Sequence, residues 1–306
     1  NYKPKKLIIF SRDELKQSEM SLDPFFSNKK NIRYFIGDVR DYQRLKVALR
    51  EVDFVVHAAA LKQVPAAEYN PEECIKTNIY GAENLVNASI ECGVEKTIAL
   101  STDKAVNPIN LYGASKLASD KLFQAAKNLS GNQKSSFSVV RYGNVVGSRG
   151  SVLPFFSKMI KEKSKFLPIT HEDMTRFWIT LDQGVNFVIN SFKMMKGGEI
   201  FVPKMPSIKI VDLAKSLSSK VKLKKVGIRP GEKLHEILIP SDLSTQTFEY
   251  KNIYIILPSF SIDGASPIYR YYKKKSKLVN YGFEYNSKNN VHYLDINEIK
   301  ELNKRY

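Results

Sequence analysis

The amino-acid sequence predicts an α/β fold, a doubly wound parallel sheet with a smaller C-terminal lobe. Three observations carry that prediction. Short runs rich in Val, Ile and Phe alternate with segments of helical period as far as Gly150. Gly93 stands where one of those helices should stop. Beyond Gly150 the rhythm changes to helices, short strands and turns containing Pro154, Pro168, Pro203, Pro206 and Pro230, the composition of a lobe that covers a ligand.

In chain order, strands are expected at KLIIFS (6–11), IRYFIGD (32–38), FVVHAA (54–59), TIALST (97–102) and FSVVRYG (137–143). Each is short and apolar, as in a parallel strand buried on both faces. Residues 41–51, 83–92 and 115–128 carry apolar side chains at helical spacing between them. A sheet wound in this way gathers ligands at the C-terminal ends of its strands. The expected division is a dinucleotide-binding domain over 1–150, to which 178–203 returns, and a lobe over 151–306 that mainly binds substrate.

One element of that pattern is absent. A dinucleotide-binding sheet begins with a strand running into a glycine-rich turn, whose backbone approaches the pyrophosphate at a helix N-terminus. No GxxGxxG or GxGxxG run precedes Lys6. The expectation is a chain that opens at the second strand, its first βα unit lying outside these 306 residues. The alternative is a protein that holds a cofactor in another way.

With 306 residues and 43% apolar content, the chain can bury one large core. No run approaches the roughly 18 unbroken apolar residues of a membrane-spanning helix. The N-terminal NYKPKKLIIF has too short an apolar run for a signal peptide, so a cytoplasmic protein without membrane insertion is expected. Cys74 and Cys92 form no CxxC pair, which points to reduced, non-catalytic thiols. His57, His171 and His235 lack metal-ligand spacing, and no metal is expected. The balance of 48 Lys+Arg against 31 Asp+Glu gives +17, a field that attracts phosphorylated ligands. Nucleic acid is not an expected partner, because charge without a reading motif confers no base recognition.

The strongest constellation is Ser101-Thr102-Asp103-Lys104 at a strand end, followed by Tyr112-Gly113-Ala114-Ser115-Lys116 at a helix start. Tyr112 and Lys116 stand four apart and share a helix face. A free tyrosine, with pKa about 10, is a poor base at neutral pH, and a neighbouring ammonium favours its phenolate. Tyr112 is then suited to take the hydroxyl proton of an alcohol as its hydride leaves. Asp103 beside Lys104 offers an acid and a base at one strand end, which an elimination requires and a simple reduction does not.

Here the sequence resembles a known family. The runs LSTDKAVNPINLYGASK (100–116), SRDELKQSEM (11–20), HAAALKQVPAAEYNP (57–71), RYGNVVGSRGSVLPFF (141–156), MTRFWIT (174–180) and RPGEKLHE (229–236) are similar to those of the inverting UDP-N-acetylglucosamine 4,6-dehydratases of pseudaminic acid synthesis. These are extended short-chain dehydrogenases with a Rossmann-like domain. The resemblance implies an NADP-dependent lyase acting on UDP-GlcNAc, and a homo-oligomer. It implies that Tyr112 with Lys116 oxidises C4, that Thr102 hydrogen-bonds the C4 oxygen, that Asp103 helps water leave C6 and that Lys104 is the C5 base.

The resemblance further places Asp38 and Val39 at the adenine, Ala58, Ala59 and Ala60 along the cofactor, Lys62 between cofactor and substrate, and Val145 at the cofactor. Asn78 either braces the central backbone at the cofactor or is purely structural. Asn144, Arg149, Val152, Thr170, Arg176, Arg229 and Glu232 are placed around the sugar and UDP, while Arg176 and Glu236 have pairing within the lobe as an alternative. At the end of the second expected strand, Ser11, Arg12 and Lys16 supply a hydroxyl and two cations, which suits the 2′-phosphate of NADP. Tyr112 and the lack of membrane helices point to the soluble, inverting branch. Rival readings are a retaining dehydratase or 4-epimerase, a non-catalytic protein binding nucleotide sugar or NADP, and a basic scaffold for acidic polymers.

Overall fold

The computed structural model describes residues 3–131, 134–218, 220–261 and 266–304. Its first strands are β1 (Leu7–Ser11), β2 (Ile32–Ile36), β3 (Phe54–His57), β4 (Lys96–Thr102) and β5 (Ser136–Tyr142), each within two residues of the expected run. There follow β6 (Asn144–Val145), β7 (Phe166–Ile169), β8 (Thr175–Ile179), β9 (Ile200–Pro203), β10 (Ser207–Lys209) and β11 (Lys222–Lys225). The last are β12 (Ile237–Ile239), β13 (Thr247–Tyr250), β14 (Ile253–Ile256), β15 (Lys277–Leu278) and β16 (Tyr285–Asn286).

The main sheet has the order β15-β13-β14-β9-β5-β4-β3. Strands β3, β4, β5 and β9 are parallel, and β14 adds to β9 antiparallel. The sequence rhythm predicted an α/β parallel sheet, and this is its centre. Strand β9 lies within the stretch 178–203 that was expected to return to this domain, and β13, β14 and β15, from beyond it, belong to the sheet as well. Strands β10-β8-β6 and β11-β7 surround a second core that includes Leu167, Trp178, Ile208, Leu213 and Ile299, while β12-β16 packs Leu238, Ile239 and Tyr285 into the core of the main sheet.

Strands β4 and β5 are almost wholly buried, because helices cover them on either side. The helix Leu111–Leu129 places Phe123 and Ala126 in one apolar cluster with Ala99, Phe137 and Val139. Burial of a side chain such as Phe123 stabilises the fold by about 1.5–3 kcal/mol. Gly93 adopts φ +72° just past the helix Gly81–Glu91, so the expected helix stop is met by a residue free of the Cβ penalty.

Three strands depart from the expectation of burial. Strands β1 and β2 pair with each other in a separate two-stranded sheet, and β3 ends the main sheet. With no strand beside it on that edge, β3 leaves Phe54 and Val56 at 55% and 48% exposure. Among the described residues no helix is long and apolar enough to cross a membrane.

Candidate active site

Strand β4 delivers the Ser-Thr-Asp-Lys run to its C-terminal end, where Asp103–Ala105 makes a single tight helical turn. The Thr102 hydroxyl lies 2.9 Å from Asp103 Oδ1 and accepts from the Lys104 backbone N–H. The next helix starts close by. Asn110 caps it by accepting from the Gly113 N–H at 2.8 Å, which aims Tyr112 back at the strand end.

Lys104 lies between two carboxyl groups. Its Nζ is 3.1 Å from Asp103 Oδ1 and 3.3 Å from Glu236 Oε1, and its side chain keeps 29% exposure toward solvent. Asp103 and Glu236 are almost fully buried, and Asp103 Oδ2 and Glu236 Oε2 have no hydrogen-bond partner. Burial and the negative charge of Glu236 push the Asp103 carboxyl above the ordinary range. Burial also opposes ionisation of Glu236, but Lys104, Arg176 and Lys233 outweigh it and hold Glu236 below the ordinary range. For Lys104, burial disfavours the ammonium, yet the two carboxyl groups raise it above the ordinary lysine value.

The tyrosine differs from its expected electrostatics. Burial pushes the Tyr112 phenol up to about 12, against the pull of Lys104 and Thr102. The cation acting on it is Lys104, not Lys116. Lys116 is itself buried, and that burial lowers its pKa, with Asp120 acting the other way.

Behind this site runs a buried polar chain. Ser101 Oγ donates to Asp120 Oδ2 at 2.8 Å, and Arg141 donates to the same oxygen at 2.9 Å and to the Leu238 carbonyl at 3.1 Å. His57, at the end of β3, is buried near Phe123, and that burial with the charge of Lys116 drives its imidazole down to about 3. It is neutral throughout the physiological range.

The residues expected at a dinucleotide lie at the ends of β1, β2 and β3. Arg12 reaches Asp38 at 3.4 Å and Lys16 pairs with Asp13 at 2.8 Å, both cations remaining exposed. Ser11 Oγ accepts from the Asp13 N–H. Asp38 also binds Arg40 at 2.8 Å; burial opposes its ionisation, but Arg40 and Arg12 hold it low. Val39 is buried, whereas Ala58, Ala59 and Lys62 are exposed, and Ala60 and Val145 are half-buried. Asn78 is buried in a π-helical turn, Lys76–Tyr80. Its side chain accepts from Leu61 N–H at 2.7 Å and donates to Leu61 carbonyl at 2.9 Å and to Ser115 Oγ at 2.9 Å. It ties the loop after β3 to the tyrosine helix. The cations Arg12 and Lys16 after β1 are exposed, and the chain at Ala58 and Ala59 lies open to solvent.

The residues expected at the sugar and UDP divide into two groups. Thr170 donates to Glu232 at 3.3 Å, Glu232 lies 3.7 Å from Arg176, and Arg176 Nε lies 3.6 Å from Glu236. This row is continuous with Lys104 and Asp103. Arg176, expected at the substrate, is buried and donates to the carbonyls of Thr175, Lys233 and Leu234. The pairing with Glu236, which the sequence left as an alternative, is the arrangement found. Asn144 is half-buried with Oδ1 unpartnered, and Val152 opens the helix Val152–Lys161. Arg149 and Arg229 are exposed, and the charge of Arg149 is felt at Asp13, on the β1 side.

The family model for "Polysaccharide biosynthesis protein" matches residues 1–258. The chain belongs to that family. A relative from Campylobacter jejuni, named UDP-N-acetylglucosamine 4,6-dehydratase (inverting), is 58% identical over 99% of this chain and 90% of its own length. A Rickettsia bellii relative named UDP-glucose 4-epimerase is 43% identical over 97% of this chain and 86% of its own. The solved structure of Pen from Bacillus thuringiensis superimposes with TM-score 0.88 at 37% identity, over 99% of this chain and 90% of that one. The resemblance seen in the motifs is therefore met across nearly the full chain.

In this polysaccharide biosynthesis protein the RPGEKLHE segment sits against the strand end. Asn110 donates to the Gly231 carbonyl at 2.8 Å, and Lys233 donates to the Val106 carbonyl. That docking carries Glu236 to Lys104. Sequence reasoning assigned Glu236 no contact with Lys104, and it named neither Asp120 nor Arg141; their alignment depends on strand register, for which one sequence holds no signal.

Proposed function

We propose that this chain is an inverting UDP-N-acetylglucosamine 4,6-dehydratase that uses NADP and forms the 4-keto-6-deoxy-L-arabino sugar for pseudaminic acid synthesis. The observation that carries this reading is the meeting of Thr102, Asp103, Lys104 and Tyr112 around one strand end. The name borne by the 58% identical relative supports it. A cytoplasmic homo-oligomer belongs to the same proposal.

A bound nicotinamide supplies the capacity to take a hydride from the sugar and to return it. Tyr112 takes the C4 hydroxyl proton, with Thr102 holding the oxygen. Lys104 stabilises the phenolate that oxidation needs, since it is the cation that pulls the phenol down. Lys116, buried in the same helix, joins Tyr112 in the oxidation of C4. The C4 ketone acidifies the C5 proton, which Lys104 removes once its amine is neutral, while Asp103 protonates the departing C6 hydroxyl. The raised Asp103 carboxyl suits a donor at neutral pH. Asn78 steadies the cofactor-side loop that carries Ala58, Ala59 and Lys62. Ser11, Arg12 and Lys16 hold a 2′-phosphate, with Asp38 and Val39 at the adenine and Val145 alongside the cofactor. Asn144, Arg149, Val152, Thr170, Arg229 and Glu232 surround the nucleotide sugar.

A 4-epimerase is the second reading, favoured by the name of the Rickettsia bellii relative. It has no C6 elimination to assist and no use for an acid at Asp103. Turnover of UDP-GlcNAc in deuterated water, followed by NMR, separates the two. A 4-keto-6-deoxy product with deuterium at C5 is expected; an unchanged C6 hydroxymethyl group overturns the dehydratase reading. Arg12→Ala is expected to weaken NADP binding at least tenfold with little effect on NAD, as loss of a phosphate-matched guanidinium implies.

A further inference from the structure

Glu236 lies far from the strand-end motif in sequence, yet its carboxyl group faces the same ammonium as Asp103. We propose that Glu236 is a positioning residue of the elimination: its carboxylate, shared by Lys104 and Arg176, leaves on Asp103 the one proton of the two facing carboxyl groups. This rests on the dehydratase reading, because only an elimination needs an acid and a base side by side.

Two carboxyl groups with unpartnered oxygens share one Lys104 ammonium, so ionising both leaves one anion poorly compensated. Arg176 decides which one ionises. Its Nε lies 3.6 Å from Glu236, whereas Asp103 has only Lys104 and the Thr102 hydroxyl. Lys233 adds positive charge at Glu236, although its ammonium is tied to the Val106 carbonyl. Glu232 faces Arg176 from the other side at 3.7 Å, and Tyr112 faces Lys104 from its helix. The directions agree, with Asp103 raised and Glu236 lowered.

The consequence is a division of roles between the two carboxyl groups. Glu236 stays ionised as the counter-charge of Lys104, with Arg176 behind it, while Asp103 retains its own proton for the C6 oxygen.

The test uses the full chain and infrared spectroscopy at neutral pH without substrate. The wild type is expected to show the carbonyl stretch of a protonated carboxylic acid that disappears in Asp103→Asn. The band should also disappear in Glu236→Gln, where Asp103 becomes the sole anion for Lys104, and persist in Glu236→Asp. Persistence of the band in Glu236→Gln, or its survival in Asp103→Asn, overturns the proposal. With substrate, Glu236→Gln should accumulate reduced nicotinamide while water loss slows by roughly 10²-fold, a general-acid effect, and Glu236→Asp should recover part of that rate. Retained water loss in Glu236→Gln also overturns it. Because the infrared arm needs no substrate, failure of the dehydratase reading leaves its outcome intact.

Discussion

The backbone at Gly113 passes so close to Lys104 that a Cβ on Gly113 would stand 2.2 Å from the Lys104 carbonyl oxygen. The N-terminus of the tyrosine helix is thus packed directly on the turn that carries Asp103 and Lys104. The obstacle is backbone on both sides, so no side-chain movement relieves it.

Gly113→Ala should therefore push the Tyr112 helix away from the strand end. Overpacking of this kind costs about 1–3 kcal/mol, and an ångström of displacement at the reacting groups costs on the order of 10²-fold in rate. Thermal unfolding together with initial rates checks this. An unaltered rate would show that Tyr112 does not act from this position.

Asn78→Ala should loosen the loop after β3. It removes hydrogen bonds to both backbone groups of Leu61 and to Ser115 Oγ. Leaving a buried polar group unsatisfied costs about 1–3 kcal/mol, and limited proteolysis should move to residues 58–63. Protection of that loop equal to the wild type would contradict the bracing role.

Asp120→Ala should destabilise the protein more than it alters substrate affinity. It strips Arg141 of its carboxylate partner in the buried row with Ser101. Removing one member of a buried pair costs about 3–5 kcal/mol. Urea unfolding should also show that Asp120→Leu combined with Arg141→Leu is less damaging than the two single losses added together.

His57 should make stability fall in acid. Its native imidazole binds a proton only near pH 3, against an ordinary 6.5, because of burial and Lys116. Between those values the unfolded chain holds the extra proton, so the contribution is present above pH 6.5 and lost as pH falls toward 3. The slope for one such group approaches 1.4 kcal/mol per pH unit, roughly. Denaturant unfolding of His57→Gln across this window should show a flatter dependence than the wild type.

The strands from β1 to β5 were legible because alternation and period are local properties of a chain. So was the strand-end site: Asp103, Lys104 and Tyr112 lie within ten residues and meet across one turn. Exposure on β3 was not legible, since Phe54 and Val56 look like core residues in sequence yet lie, at 55% and 48% exposure, on the strand that ends the main sheet. Arg176 was placed around the sugar and UDP with pairing to Glu236 as the alternative, and the sequence could not show its hydrogen bonds to three backbone carbonyls, because guanidinium chemistry suits phosphate and carbonyl alike.

Composition, period and short-range motifs thus determined the class of fold and the strand end at which Thr102, Asp103, Lys104 and Tyr112 meet. Tertiary structure decided which charges face them. Lys104, not the helical neighbour Lys116, is the cation felt at Tyr112, and Glu236 arrives from 132 positions away to share that ammonium with Asp103. Charge acts through space and is strengthened by burial, while position along the chain enters only through the fold that brings the groups together.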